Sequence, residues 1–318
     1  MTTVFDVPGS SPSNPFTTPI QALFAFKISS TPTPTLEETA SDIVSSVTKS
    51  LDPASSLWML WDAYFTAVVE SSISHELHIA LLDVLRVQPP TQPNNLPSSS
   101  DEKRRLRSYT GSDNQIIWQE LPRFSAQWRD VHDILESWRD WDGVRESHAE
   151  YNTNASSNTN GGDKYFLRFC SFSAALLRAA KDKSEVHPVN VFYACRKGLE
   201  SHRPQSVQTK AHRTTPQQTW ALDVRVAAIW MRDGGRALWE LDHDELRRHW
   251  SVALNDQTEL WLREDGLTQE RWQLWADRLK WLTTDEAGLD EETRTVVAEA
   301  AGVVSRLLEK KRRLETTT

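Results

Sequence analysis

The run WALDVRVAAIWMRDGGRALWEL, residues 220–241, decides the fold. At about 100° per residue, Trp220, Val224, Ala227, Met231 and Leu238 share one face of a helix. Val226, Ile229 and Trp230 lie elsewhere around it. The segment is therefore apolar over most of its circumference and reads as a central helix with neighbours on several sides. Working outward, the same period recurs. Downstream, a helix runs from Thr268 through Arg271 to Leu282, and a long last one from Leu289 to Leu314 carries Val296, Ala300, Val303 and Leu307. Upstream, Tyr165 to Ala180 and Val189 to Leu199 read as an antiparallel helix pair. Before them stand the stripes Trp128, Val131, Leu135, Trp138; then Leu77, Leu81, Leu82, Leu85; then Trp58, Trp61, Phe65, Val68. A helix over Leu36 to Leu51 is followed by Asp52-Pro53, an N-cap with proline at the first helical position, where its missing N–H does no harm. Short-range alternation is absent and β-branched residues are not clustered. The expectation is an all-α protein, an irregular bundle of about nine or ten helices.

Residues 1–35 form a Ser/Thr/Pro-rich segment, disordered or draped on the surface, in which Ile20 to Ile28 is able to dock as a short helix. An N-terminal helical lobe over 36–150 and a C-terminal one over 164–318 flank a polar linker at 151–163, and the two lobes are expected to share one continuous core. Residues 88–111 and 202–217 read as long loops.

Tryptophan is the compositional anomaly, 14 in 318 residues. Most sit on apolar helical faces, among them Trp58, Trp61, Trp128, Trp138, Trp220, Trp272 and Trp275, so the abundance first signals packing between crossing helices. With 38% apolar residues and only 11 glycines, a collagenous or grossly disordered chain is excluded. The formal charge of −8 argues against nucleic acid, which needs clustered Lys and Arg. Cys170 and Cys195, both inside apolar helical patterns, read as reduced core thiols. A basic n-region followed by an apolar stretch is missing, as is any run approaching a membrane span, so a cytoplasmic protein is expected. Asn154-Ala155-Ser156 is then a chance sequon. Nothing in the sequence sets the oligomeric state.

A phosphate loop, a nucleophile elbow and zinc spacing are all missing. His75 and His78 share a helix face without a third ligand, and Asp130 with Asp133 falls short of the acidic clusters that hold metal in helical terpene cyclases, so neither a metal nor a cofactor is expected. Trp-Arg-Asp occurs at 128–130 and again at 138–140, with a looser echo at Trp230-Met231-Arg232-Asp233. It reads either as arginine stacked on an indole while holding a carboxylate at a pocket edge, or as boundary charges pairing locally. Arg225, Arg232 and Arg236 form a narrow arc that must face water, an acidic neighbour or a cavity, with water or acidic neighbours expected. Gly234-Gly235 implies close helix approach, a kink or room for a ligand, with close packing against a Trp as the expectation. Trp281 lies about 180° from the stripe of Trp272, Trp275 and Leu279 and is either covered by a second layer or an exposed contact anchor.

The order Leu57-Trp58-Met59-Leu60-Trp61-Asp62, His78-Ile79-Ala80-Leu81-Leu82, Ile117-Trp118-Gln119-Glu120-Leu121-Pro122, Trp128-Arg129-Asp130, Phe169-Cys170-Ser171-Phe172-Ser173-Ala174-Ala175-Leu176 and Gly266-Leu267-Thr268-Gln269-Glu270-Arg271-Trp272-Gln273-Leu274-Trp275 resembles the fungal family catalogued as domain of unknown function 3632, over roughly residues 36 to 310. The resemblance implies an all-helical intracellular protein and no established activity. Function is then expected to be non-enzymatic binding of a protein partner or an apolar small ligand through a Trp-rich surface or pocket, with Trp118, Trp128, Arg129, Arg232 and Trp281 as candidate contacts. The alternative is a metal-independent enzyme of small-molecule metabolism that uses an Arg/Asp pair in a Trp-lined cavity, with Asp62 or Asp130 as its acid, which requires a carboxyl whose pKa is raised by burial.

Overall fold

The computed structural model describes residues 4–5, 14–24, 34–70, 74–95, 99–142, 145–146, 161–180, 185–206 and 208–317. The sequon and nearly all of the 151–163 linker lie outside them. Helices dominate: among the described residues there are twelve α-helices, against about nine or ten expected. Apart from isolated bridges, strand pairing among the described residues is confined to Val4–Phe5 beside Arg145–Glu146. The chain divides into two compact units. One comprises residues 1–138 and 143–169, the other 139–142 and 170–318.

In the first unit, α3 (Pro53–Glu70) is the central helix, packed by α1 (Thr17–Phe24), α2 (Leu36–Lys49), α5 (Ser100–Arg107) and α6 (Phe124–Trp138), while α4 (His75–Arg86) lies against α2. Asp52 opens α3 as its sequence implies, accepting the Ser55 N–H at 3.1 Å, and Thr35 and Glu38 cap α2 reciprocally. Leu57, Leu60, Trp61, Tyr64, Phe65, Val68 and Val69 are all fully buried, so α3 has almost no solvent face. Its aromatic residues meet edge-on, Trp61 with Phe124 at 5.1 Å and 89°. Trp58 departs from expectation, since it remains 42% exposed.

In the second unit, α9 (Pro216–Glu240) is the central helix, packed by α8 (Val189–Leu199) and α12 (Glu291–Thr317), while α11 (Gln269–Leu282) packs on α12 and α8. The last half of α7 (Gly162–Ala179) also belongs here. Glycines set the closest approaches to α9. A Cβ on Gly198 of α8 would press on the Asp223 carbonyl and lie 2.8 Å from the Ala227 Cβ, and one on Gly234 would lie 2.6 Å from Leu177. The neighbours of Gly234 are thus Leu177 and Val191, and Gly235 faces Met231 and Val303; no Trp is among the atoms nearest either glycine.

Two helices are missing from the expected set, and both have a physical reason. In α5, inside the region read as a loop, Leu106 is the one buried residue among those described, so no apolar period exists; the segment is held by helix-forming charges, with Asp101 and Arg104 at 3.2 Å and Arg105 reaching Asp52 at 3.7 Å. α10 (His243–Asn255) is broken at Trp250, whose φ of −130° and ψ of 19° interrupt the helix. The kink splits its apolar residues. Leu246 and Leu254 are buried, Val252 is 86% exposed, and the Trp250 ring lies 4.2 Å from that of His187.

Candidate functional site

In the buried middle of α3, a charged residue has nowhere to go. Asp62 sits in the middle of α3, fully buried; its Oδ1 accepts a hydrogen bond from Gln127 Nε2 on α6 and its Oδ2 has no hydrogen-bond partner. Burial pushes its pKa from 3.8 to about 7; the Arg123 guanidinium and the Gln127 bond oppose this, and Asp130 adds to the rise. Arg123 links the cluster outward, donating to Tyr109 Oη at 2.7 Å and to Gln127 Oε1 at 3.3 Å.

The backbone beneath is unusual. After the 3₁₀ turn Trp118–Glu120, Leu121 (φ 43°) and Arg123 (φ 72°) both adopt the left-handed conformation, a strained choice for residues with a Cβ. Between them the Pro122 carbonyl accepts the Trp61 indole N–H at 2.8 Å. Trp118 is fully buried and donates to Thr91 Oγ1 at 2.9 Å. These two tryptophans fix the turn that carries Arg123 towards α3.

The other residues expected at a site do not converge. Trp128 is buried, its ring stacked with those of His132 and Phe169, while Arg129 and Asp130 are exposed on α6. His132, Asp133 and Glu136 bring ligand-type atoms within 4.8 Å of one another at the surface of α6, a cluster not anticipated from the sequence. Arg232 belongs to the second unit and pairs with Asp233 at 2.8 Å and Glu299 at 3.2 Å; Arg225 pairs with Glu292 and Arg236 with Glu240. The arc is thus neutralised by acidic neighbours. Trp281 is half-buried under the Arg278 guanidinium, 4.2 Å from its ring. The second Trp-Arg-Asp stitches chain segments: Arg139 Nε lies 3.0 Å from Asp223, and Asp140 pairs with Arg213, which covers the Trp141 ring at 4.3 Å.

Open space with shaped walls occurs in the second unit. A groove of about 660 Å³ is lined by His243, Leu246, Arg247 and Leu254 of α10, by Thr268 at the start of α11 and by Lys311 of α12. Its walls are held by a buried ion pair. Glu200 and Arg271 have side chains at 0% exposure and meet through two N–H···O bonds of 2.7 and 2.8 Å. The Trp275 indole and the Thr258 hydroxyl complete the carboxylate's shell, each at 2.8 Å. Arg271 Nη1 then donates to Leu254 O at 2.8 Å and to Gly266 O at 3.1 Å. Both acceptor residues line the groove, so one guanidinium ties the end of α10 to the segment opposite. Gly266 has φ 77°, which suits a residue without a Cβ. Sequence reasoning missed this clamp. Arg271 sits beside Trp272 on a helix of mixed polarity, and its partner is 71 residues away.

The structure defines an all-α protein with the buried Asp62 carboxyl in the first unit and a clamped groove in the second. Residues 61–279 match the family described as Protein of unknown function (DUF3632), and the chain belongs to that family. Neither a curated protein nor a solved structure matches it.

Proposed function

We propose that this protein acts in the cytoplasm by binding a protein partner rather than by catalysing a reaction, and that the contact is made in the groove between α10 and the start of α11. The observation that carries this is the clamp: Arg271 fixes both walls, so the groove is preorganised and loses little entropy on filling. Its contents do not suit catalysis. Ser251 and His243, a nucleophile and a base by type, both line it but stand eight residues apart on α10, on either side of the break at Trp250.

A second reading, a metal-independent enzyme, is favoured by one observation, the Asp62 carboxyl near pH 7. It requires a substrate to reach a side chain with no exposed surface.

A photo-crosslinking amino acid at Ser251, expressed in the native host, is expected to capture a protein that the same residue at exposed Ser46 of α2 does not. Equal capture at both positions, or none at Ser251, overturns the binding reading. A small molecule retained by the purified protein in native mass spectrometry and lost in Asp62→Asn supports the enzyme instead.

A further inference from the structure

Resting on the binding reading above, we infer that the groove selects an acidic peptide segment with apolar anchors. The chain carries a formal charge of −8, yet cations gather here. Arg247 of α10 and Lys311 of α12 both line the groove, together with the leucines Leu246, Leu254 and Leu267. Along α12, Arg306, Lys310 and Arg313 recur at helical spacing and line a second, shallower depression with Leu314, which is 63% exposed. The run Lys310-Lys311-Arg312-Arg313 near the end of the chain therefore acquires a context that its sequence alone does not give it.

The local acids shape the choice of occupant. Asp265 is engaged by Arg263, and Glu245 lies 3.6 Å from His187. The Glu270 carboxyl, held below its ordinary value by hydrogen bonds to its own backbone N–H and to Thr268, already serves the start of α11. Thr268 takes the Arg271 N–H as well. The helix N-terminus is thus self-capped, which disfavours a free phosphate. Glu309 lines the second depression and Asp244 and Glu245 stand beside the lining residues of α10 in sequence, so a long polyanion meets acids as well as cations, and nucleic acid needs more cations in register than these. A short segment with a few Asp or Glu beside Leu or Phe meets both the cations and the apolar floor.

The test uses a phage library of random 16-residue peptides panned on the full chain, with counter-selection on Ser251→Trp, which fills the groove. Enriched peptides are expected to pair acidic residues with apolar anchors. Their affinity is expected to fall at least about tenfold in Arg247→Glu/Lys311→Glu, with circular dichroism unchanged, and to weaken with added salt. Neutral peptides enriched equally, affinity unchanged by the charge reversal, or displacement by a single-stranded RNA oligomer overturns the inference. Self-association through the groove, seen as Ser251 crosslinks between two copies, overturns it too. Neutral peptides that still require the open groove remove the charge selection and leave partner binding standing. A silent crosslinker at Ser251 removes both.

Discussion

Asp62 couples stability to pH through one side chain. Its folded pKa, about 7, lies above the ordinary 3.8, so the folded chain binds the proton more tightly than the unfolded chain between those values. That contribution is full below pH 3.8, declines as pH rises, and is gone above about 7. At about 1.4 kcal/mol per pH unit, the swing is at most about 4 kcal/mol. Asp62→Asn keeps an oxygen for the Gln127 amide and removes the titration. Its gain in urea midpoint over wild type is expected to be larger at pH 8 than at pH 5. An equal difference at both pH values means that the carboxyl does not titrate in this window.

Arg271 is the residue on which the groove depends. Arg271→Met leaves Glu200 buried with only the Trp275 and Thr258 donors and frees the Leu254 and Gly266 carbonyls. Breaking such a pair costs about 3–5 kcal/mol, while Glu200→Met/Arg271→Met is expected to cost less than the sum of the single changes, because no lone charge stays buried. Denaturant unfolding of the three variants checks this; a loss under about 1 kcal/mol for Arg271→Met removes the clamp from the account.

At the scale of elements, closeness to α9 is set by glycine, and the two contacts differ in what they can yield. Alanine at either position gains about 1 kcal/mol of helix propensity and meets a steric cost of about 1–3 kcal/mol. At Gly198 the obstacle is the Asp223 backbone carbonyl within α9, which cannot move without the helix. At Gly234 it is the tips of Leu177 and Val191, which can rotate. Gly198→Ala is expected to lower the melting temperature by several degrees and Gly234→Ala by much less. The reverse order rules out backbone contact as the cause.

The same scale shows what the sequence made legible. Helices with one continuous apolar stripe or two apolar faces, such as α3, α6, α9 and α11, were readable from period alone. α5 and α10 were not, the first because it buries one leucine and the second because its kink breaks the period. Since α10 forms a wall of the groove, the groove itself was invisible. Asp62 was legible in part, as a lone acid in an apolar helix. The clamp was not, because nothing local to Arg271 or Glu200 announces a partner 71 residues away.

For the molecule as a whole, acid sensitivity is unevenly distributed. The first unit holds His75 and His78, both pushed from 6.5 to about 4, chiefly by burial, with Arg168 acting on His75 and His75 on His78. Here the sign is opposite to that of Asp62. The unfolded chain binds these protons first, so stability is lost as pH falls from about 6.5 towards 4. Two histidines, each lowered from 6.5 to about 4, outweigh the Asp62 carboxyl, raised from 3.8 to about 7, that gains over the same range. Of the second unit's histidines, His187 is also lowered by burial, but the Glu245 carboxylate beside it counters the shift. The first unit should therefore open before the second on acidification. Pepsin digestion at a series of pH values below 5, read by mass spectrometry, is expected to cut first within residues 36–138 and later within 216–308. His78→Leu, which removes one buried base from between Phe24 and Tyr64, is expected to shift the first cuts to lower pH. First cleavage in the second unit would mean that the buried histidines do not govern acid opening.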